Sequence, residues 1–464
     1  MQHLVAKIMK REELGRRTAP SGLTVCRVRL TARIEGPVSR ALTVPDRVKD
    51  REVTVTHDVP KPWLPRVGDR VVLDPGESAR ALSPRPARRP EPPVGAGTVA
   101  LASADVDRDG FDEDLISNAF VEGVVQPHRG ARLVSLLDAQ GADRFAQAYE
   151  HIMAGKYVLL GGAEDVVVES GMPGELWSAS LDRKVDDASR SVVYSRRLRS
   201  PRGVRFRKRV RVEPDLPGVL TEVTLRYEQE PEGEPVTAGT DGGTEPEDRK
   251  DHATVSYAVR LSTAVHGAGS RNVFVLPTPQ GMKLVRYHRP PHGSRWRWRD
   301  WKNETFGLRA GFILSRNEDT GRAMMLLFSA RRSLYVGVLN DLSGPELMLR
   351  HRPVRLASGT SRTWGAAFLS GDASAASGSS ALLLTRGRSG RELAVTARTA
   401  RRVERLTATL ATGGGRRRLT LAPREVPHAG RVFSGVIAGR GIRDALRCRV
   451  RVGDDALAAQ LEAV

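Results

Sequence analysis

The run DVDRDGFDED, Asp105 to Asp114, is where the chain first offers a set of groups able to do chemistry together. Asp105, Asp107 and Asp109 alternate, Gly110 permits a sharp turn, and Glu113 falls at the ninth place counted from Asp105. Oxygens at the first, third, fifth and ninth places, with a backbone carbonyl at the seventh, surround a hard cation such as Ca2+. The twelfth place, where an EF-hand carries a bidentate Glu, is Ile116, so the pattern is that of a non-helical calcium loop. The competing reading is an acidic turn in water, where exposure weakens the repulsion among its carboxylates.

A second set lies in SRWRWRDWKNETFG, which holds Trp296, Trp298 and Trp301. In a strand Trp296 and Trp298 share one face, with Arg295, Arg297 and Arg299 on the other. Flat indoles suit the apolar faces of sugars, and Arg donates to hydroxyls. The same pair could equally pack in a core, or the row could stack single-stranded bases. HRGAR places His128, Arg129 and Arg132 around a glycine turn, and LGGAEDVVVESGMPGELW gathers Glu164, Asp165, Glu169 and Trp177 among glycines. Carboxylates and guanidinium groups of this kind serve sugar hydroxyls as readily as they serve solvent.

The elements that must position these groups read as strands. Residues 1–77 carry the patterns LTVCRVRLTARI, REVTVTHDV and DRVVLDPG, a small N-terminal β domain. Residues 78–97 are rich in Pro and Arg and read as an extended linker. Residues 98–372 hold many alternating runs, enough to demand a large sandwich. Their one helical pattern is GADRFAQAYEHIM, residues 141–153, and residues 228–251 read as an acidic hairpin insertion. Residues 373–381 read as a Ser/Gly/Ala linker, and 382–464 as a C-terminal β-sandwich of six short strands.

The chain of 464 residues has a net charge of +20. Its Arg residues recur at alternate strand positions: Arg27, Arg29 and Arg33; Arg205, Arg207, Arg209 and Arg211; Arg447, Arg449 and Arg451. Such rows are either solvated sheet faces or a surface for a polyanion or nucleic acid. Cys26 and Cys448 lie near opposite ends with no metal-binding spacing, which fits buried thiols in a cytoplasmic, reducing setting. No apolar run reaches about 18 residues, so no membrane partner is expected. Walker, GxSxG, HExxH and GxGxxG motifs are absent from the sequence, which removes support for nucleotide hydrolysis, lipase-type chemistry and zinc proteolysis.

The order of segments resembles that of galactose-mutarotase-like β-supersandwich domains. SNAFVEGVVQPHRGARLVSLLD resembles their opening hairpin, VRLASGTSRTWGAAFLSGD their closing hairpin, and RFRKRVRVEPDLPGVLTEVTLRY their central strand pair. A DxDxDG loop just before the opening Asn is similar to the arrangement in some α-glucan-processing enzymes. The resemblance implies an all-β protein: a central mutarotase-like supersandwich flanked by two small β-barrel or sandwich modules. It also implies a sugar or glycan partner on a concave sheet face, and in active members a His acid and a Glu base. The corresponding pair would be His266 and Glu304, with His288, His292 and Glu164 as further candidates. Trp296, Trp298, Arg132 and Trp177 would bind the sugar, and Asp105, Asp107, Asp109 and Glu113 would hold Ca2+. The expected function is carbohydrate recognition without catalysis. The alternatives are an aldose epimerase or glycan-processing enzyme and a basic polyanion- or nucleic-acid-binding protein.

Overall fold

A computed structural model describes residues 4–18, 24–37, 52–60, 67, 70–73, 92–93, 95, 97–104, 106, 112–127, 130–145, 162–168, 181–186, 190–198, 201–228, 252–262, 272–286, 304–341, 344–412, 415–439, 446–452 and 455–461. Among these residues there is no α-helix, and the protein is all-β.

The first four strands are β1 (Leu4–Thr18), β2 (Thr24–Pro37), β3 (Glu52–Pro60) and β4 (Arg70–Leu73), hydrogen-bonded in the order β3-β2-β1-β4. Alternation puts Cys26, Val28, Leu30 and Ala32 on a buried face and Arg27, Arg29 and Arg33 on the exposed one. Arg29 pairs with Glu12 at 3.1 Å and Arg33 with Glu52 at 3.4 Å, so this Arg row is partly neutralised across the sheet.

The central body follows as β5 (Val99–Ala104), β6 (Glu113–Asn118), β7 (Val121–Gln126), β8 (Arg132–Asp138), β9 (Gly162–Val168), β10 (Asp182–Asp186), β11 (Ser191–Arg197), β12 (Val204–Val212), β13 (Gly218–Tyr227) and β14 (His252–Ser262). It continues through β15 (Asn272–Thr278), β16 (Gly281–Arg286), β17 (Glu304–Phe306), β18 (Phe312–Asn317), β19 (Ala323–Phe328), β20 (Ser333–Asp341), β21 (Gly344–His351), β22 (Val354–Ala357) and β23 (Ser361–Gly371). Nine strands form one sheet, β10-β11-β12-β13-β23-β19-β18-β15-β16. Ten form the other, β17-β20-β21-β14-β9-β8-β7-β6-β5, with β22 also paired to β14. The pairings among the described strands are antiparallel, and the two sheets stack around one core that includes Phe120, Phe145, Phe206, Val255, Trp364 and Phe368. This is the large sandwich the strand count demands.

Asn118, at the head of the opening hairpin, is fully buried and ties that hairpin to the other sheet. Its Nδ2 donates to the carbonyls of Glu213 (2.7 Å) and Leu216 (2.8 Å), and its Oδ1 accepts from the backbone of Phe120 and Val121 at 2.9 Å each. The start of the expected helix is a turn instead. Asp138 Oδ1 captures the N–H groups of Gln140 and Ala142, and Asp143 Oδ1 those of Leu136 and Phe145. Carboxylates that take backbone donors in this way compete directly with a first helical turn; residues 146–153 lie outside the described residues.

The last strands are β24 (Ala373–Ser377), β25 (Ser380–Arg386), β26 (Glu392–Thr399), β27 (Leu406–Thr412), β28 (Gly415–Val426), β29 (Gly430–Ala438), β30 (Leu446–Val452) and β31 (Asp455–Leu461). They form one sheet, β24-β25-β26-β29-β28-β27-β30-β31, whose end strands lie side by side, so it is a nearly closed barrel. Residues 373–381, expected as a linker, are therefore the first hairpin of this barrel. Ala373 and Ala375 face the barrel interior while Ala376 faces the junction with the sandwich. The barrel packs on the outer face of the nine-stranded sheet through Leu383, Val426, Ala429 and Val432 against Leu220, Phe312, Ala367 and Leu369. The contact is close at Gly365, where an added Cβ would stand 1.9 Å from the Pro427 carbonyl. Cys26 and Cys448 are buried and outside any disulfide, and burial pushes the Cys448 thiol up to about 12.

Candidate functional site

Strand β9 carries adjacent carboxylates, Glu164 and Asp165, and the pleat sends them to opposite faces of the ten-stranded sheet. Asp165 points between the sheets. Its Oδ2 accepts from Lys208 Nζ at 2.6 Å and its Oδ1 from the Tyr257 hydroxyl at 2.5 Å, while Lys208 also donates to the Ala131 carbonyl at 2.8 Å. Lys208 is the one inward charge of β12, set among Phe206, Val210 and Val212, so this cluster joins the two sheets through the core. Burial, with the Asp165 charge beside it, pushes the Tyr257 hydroxyl well above its ordinary range.

Two further polar links cross the sandwich or brace it. Asp114 accepts from Arg183 Nη2 at 2.5 Å and from the Tyr194 hydroxyl at 2.7 Å. Buried Arg144 reaches Asp138 at 2.8 Å, Asp372 at 3.0 Å and Ser370 at 3.0 Å. His351 is buried beside the Tyr257 ring, stacked at 5.3 Å, and the Trp364 ring at 6.2 Å. Burial lowers it to about 4, so it is neutral at physiological pH.

Glu164 faces outward. Its Oε2 lies 3.4 Å from Arg132 Nη2 on β8 and 3.8 Å from Arg260 Nη1 on β14, giving an Arg–Glu–Arg row over three adjacent strands. Side-chain exposure rises along it from 2% at Arg132 through 12% at Glu164 to 22% at Arg260, so the row is a recess that opens over β14. In the next register row on this face, Ala258 is followed by Arg350 and then by Tyr335, whose ring the guanidinium covers at 5.9 Å. The face therefore presents paired hydrogen-bond donors, a carboxylate acceptor and a half-exposed aromatic ring. A neutral, hydroxyl-rich ligand can meet all three kinds of group.

Of the residues singled out from sequence, Arg132 and Glu164 are brought together in this row. Glu304 opens β17, the outermost strand of the same sheet, and is exposed. Glu113 opens β6, buried, with its Oε2 accepting the Val106 N–H at 2.8 Å. His266, His288, His292, Trp177, Trp296, Trp298, Asp105, Asp107 and Asp109 lie outside the described residues. Among the described residues no group of three His, Cys, Asp or Glu side chains could hold a metal ion. Arg260, Tyr335 and Arg350 had no motif to mark them; the signal available was their parity within alternating strands.

No protein-family model matches the sequence, and comparison with curated proteins gives no match. Solved structures with a similar chain path include a putative aldose 1-epimerase from Klebsiella pneumoniae subsp. pneumoniae, 9% identical, covering 59% of this chain and 84% of that one, at a TM-score of 0.41. A galactose mutarotase related enzyme from Lactobacillus acidophilus is 10% identical, covering 56% and 97%, at 0.38. A TPR-domain containing protein from Parabacteroides distasonis is 10% identical over 56% of this chain, at 0.39, and the chain spans only 47% of its length. The class of the protein follows from its own sheets: a two-sheet β-sandwich with a β-barrel packed on one face. Among the described residues no helix is long and apolar enough to cross a membrane.

Proposed function

We propose that this protein recognises carbohydrate through the outer face of its ten-stranded sheet, as a binding protein and not as a catalyst. The Arg132–Glu164–Arg260 row carries the reading. A carboxylate held between two guanidinium groups offers an acceptor and several fixed donors within one small recess, the complement of neighbouring sugar hydroxyls. Sites of this kind are concave and set a few polar groups against apolar or aromatic surface, which Tyr335 supplies here.

Binding is favoured over His–Glu catalysis because Glu304 sits four strands from Glu164, roughly 19 Å at ordinary strand spacing. The histidines whose side chains are described are engaged elsewhere: His252 with Arg355, His351 with Tyr257 and Trp364, and His428 with Arg332. The experiment is calorimetric titration with a panel of neutral oligosaccharides, repeated for Glu164→Gln. Binding weakened at least tenfold in the variant supports the site. Equal binding by both proteins rejects it, and binding lost only in Trp296→Ala/Trp298→Ala moves the site to that segment.

The acidic run before β6 belongs to the same reading, as a hard-cation loop bracing the first strands of the sheet. A ligand that binds only the folded chain raises its stability. Calcium should then raise the thermal midpoint of the wild type and leave Asp107→Asn unmoved; no rise in the wild type removes the loop from the proposal.

A further inference from the structure

The barrel carries a basic face that is independent of the recess on the ten-stranded sheet. On β28, Arg416 and Arg418 point outward, opposite inward Leu419 and Leu421. On β30, Arg447, Arg449 and Arg451 point outward, opposite buried Leu446, Cys448, Val450 and Val452. Between these two strands runs β27, and register sets Thr409 between Arg418 and Arg449 and Ala411 between Arg416 and Arg447. Beyond β30, the outward residues of β31 are Ala456, Ala458 and Gln460. Two columns of Arg thus flank a floor of small side chains. They stand about 10 Å apart across the sheet, with about 7 Å between successive Arg along a strand.

The other Arg rows are neutralised in part, this face not at all among the described side chains. On β12, Arg205 pairs with Glu228 at 3.0 Å, and Arg211 lies 3.5 Å from Glu213 and 3.9 Å from Glu222. On the N-terminal sheet Glu12 and Glu52 play that part. On the barrel face the one polar contact among the described side chains is Arg447 Nη2 to Gln460 Oε1 at 3.4 Å, and no acidic side chain described there opposes the five guanidinium groups.

We propose that this face docks an extended anionic polysaccharide. Guanidinium groups bind sulfate and carboxylate with two parallel hydrogen bonds, and a trough with basic walls accepts a chain lying along the strands. Surfaces for single-stranded nucleic acid add aromatic side chains on which bases stack. The solvent-facing outward residues described on β27, β28, β30 and β31 are Arg, Thr, Ala and Gln, with no aromatic among them. Charge complementarity without a stacking platform favours the polysaccharide.

The test is fluorescence anisotropy of the full chain with labelled heparin oligosaccharide, neutral dextran and poly-U across a salt series. The expected result is binding to heparin that weakens as salt rises, with no binding to dextran. Arg418→Ala/Arg449→Ala should weaken it at least tenfold and lower the magnitude of the salt slope by about two, one for each charge removed. Arg207→Ala/Arg209→Ala, on exposed β12, should leave affinity within twofold. Equal loss in both double variants means diffuse attraction and overturns the site. Unchanged heparin binding in Arg418→Ala/Arg449→Ala overturns it as well. Poly-U bound more tightly than heparin, with the same dependence on Arg418 and Arg449, overturns the polysaccharide as occupant.

Discussion

Glu164 and Asp165 are one peptide bond apart and belong to opposite parts of the molecule. Asp165 is buried in the core with Lys208 and Tyr257, which satisfy its oxygens. Glu164 stands between Arg132 and Arg260 in a recess that opens at one end. The inner cluster is expensive to break, because either partner alone would be a charge in a dry interior. The outer row is shielded at Arg132 and opens towards Arg260, so its contribution to folding is smaller than that of the inner cluster, and its outer end is available to a ligand. Chemistry on a sheet is decided by the face a residue occupies, before its type or its neighbours in sequence matter.

The sharpest way to break this contrast is to remove one inner partner. Asp165→Leu leaves Lys208 buried without its carboxylate and should cost about 3–5 kcal/mol in urea unfolding. The double variant Asp165→Leu/Lys208→Met, which removes both charges, should recover most of that loss. Failure to recover would mean the cluster is not acting as a pair.

His351 gives a contribution that depends on pH. Its ordinary value is 6.5 and burial lowers it to about 4 in the folded protein, so the unfolded chain binds the proton more readily. Stability from this group is complete above pH 6.5, falls as the pH drops through that value, and is lost by about pH 4. The full span corresponds to about 3 kcal/mol at one pKa unit per 1.36 kcal/mol. Unfolding measured across that window should lose this slope in His351→Gln. Tyr257→Phe removes a hydrogen bond to a charged acceptor and should cost about 1.5–3 kcal/mol, leaving the Lys208–Asp165 contact in place. Glu164→Gln keeps an acceptor oxygen beside buried Arg132 and should cost clearly less than Asp165→Leu.

Much of this architecture was legible in the alternation of residues. RFRKRVRV and LRCRVRV announce strands with one basic face, and β12 and β30 have that form. Alternation within one strand could not tell which Arg rows would be neutralised, because Glu222 and Glu228 meet β12 through the register of the β12–β13 hairpin and Glu213 follows the strand. Small-residue composition misled at 373–381: Ala and Ser in a solvated chain mean a flexible connection, yet here they suit a strand between two cores. The turn at 140–145 misled in the other direction, since good helix formers were outcompeted by Asp138 and Asp143 taking the backbone donors. Arg132 and Glu164 were visible as polar groups near glycines, but their meeting required β8 and β9 to pair through Leu133 and Ala163. Arg260 completes the row from a strand almost a hundred residues further on, a separation that no local pattern spans.

The most direct measurement is oligosaccharide binding and thermal midpoint on the same samples of wild type, Glu164→Gln and Asp165→Leu. If the outer row binds and the inner cluster holds the sheets together, Glu164→Gln loses affinity at least tenfold with a fall in midpoint well below that of Asp165→Leu, which unfolds at a much lower temperature. Full binding by Glu164→Gln, or a drop in its midpoint as large as that of Asp165→Leu, would contradict the division of roles between the two faces.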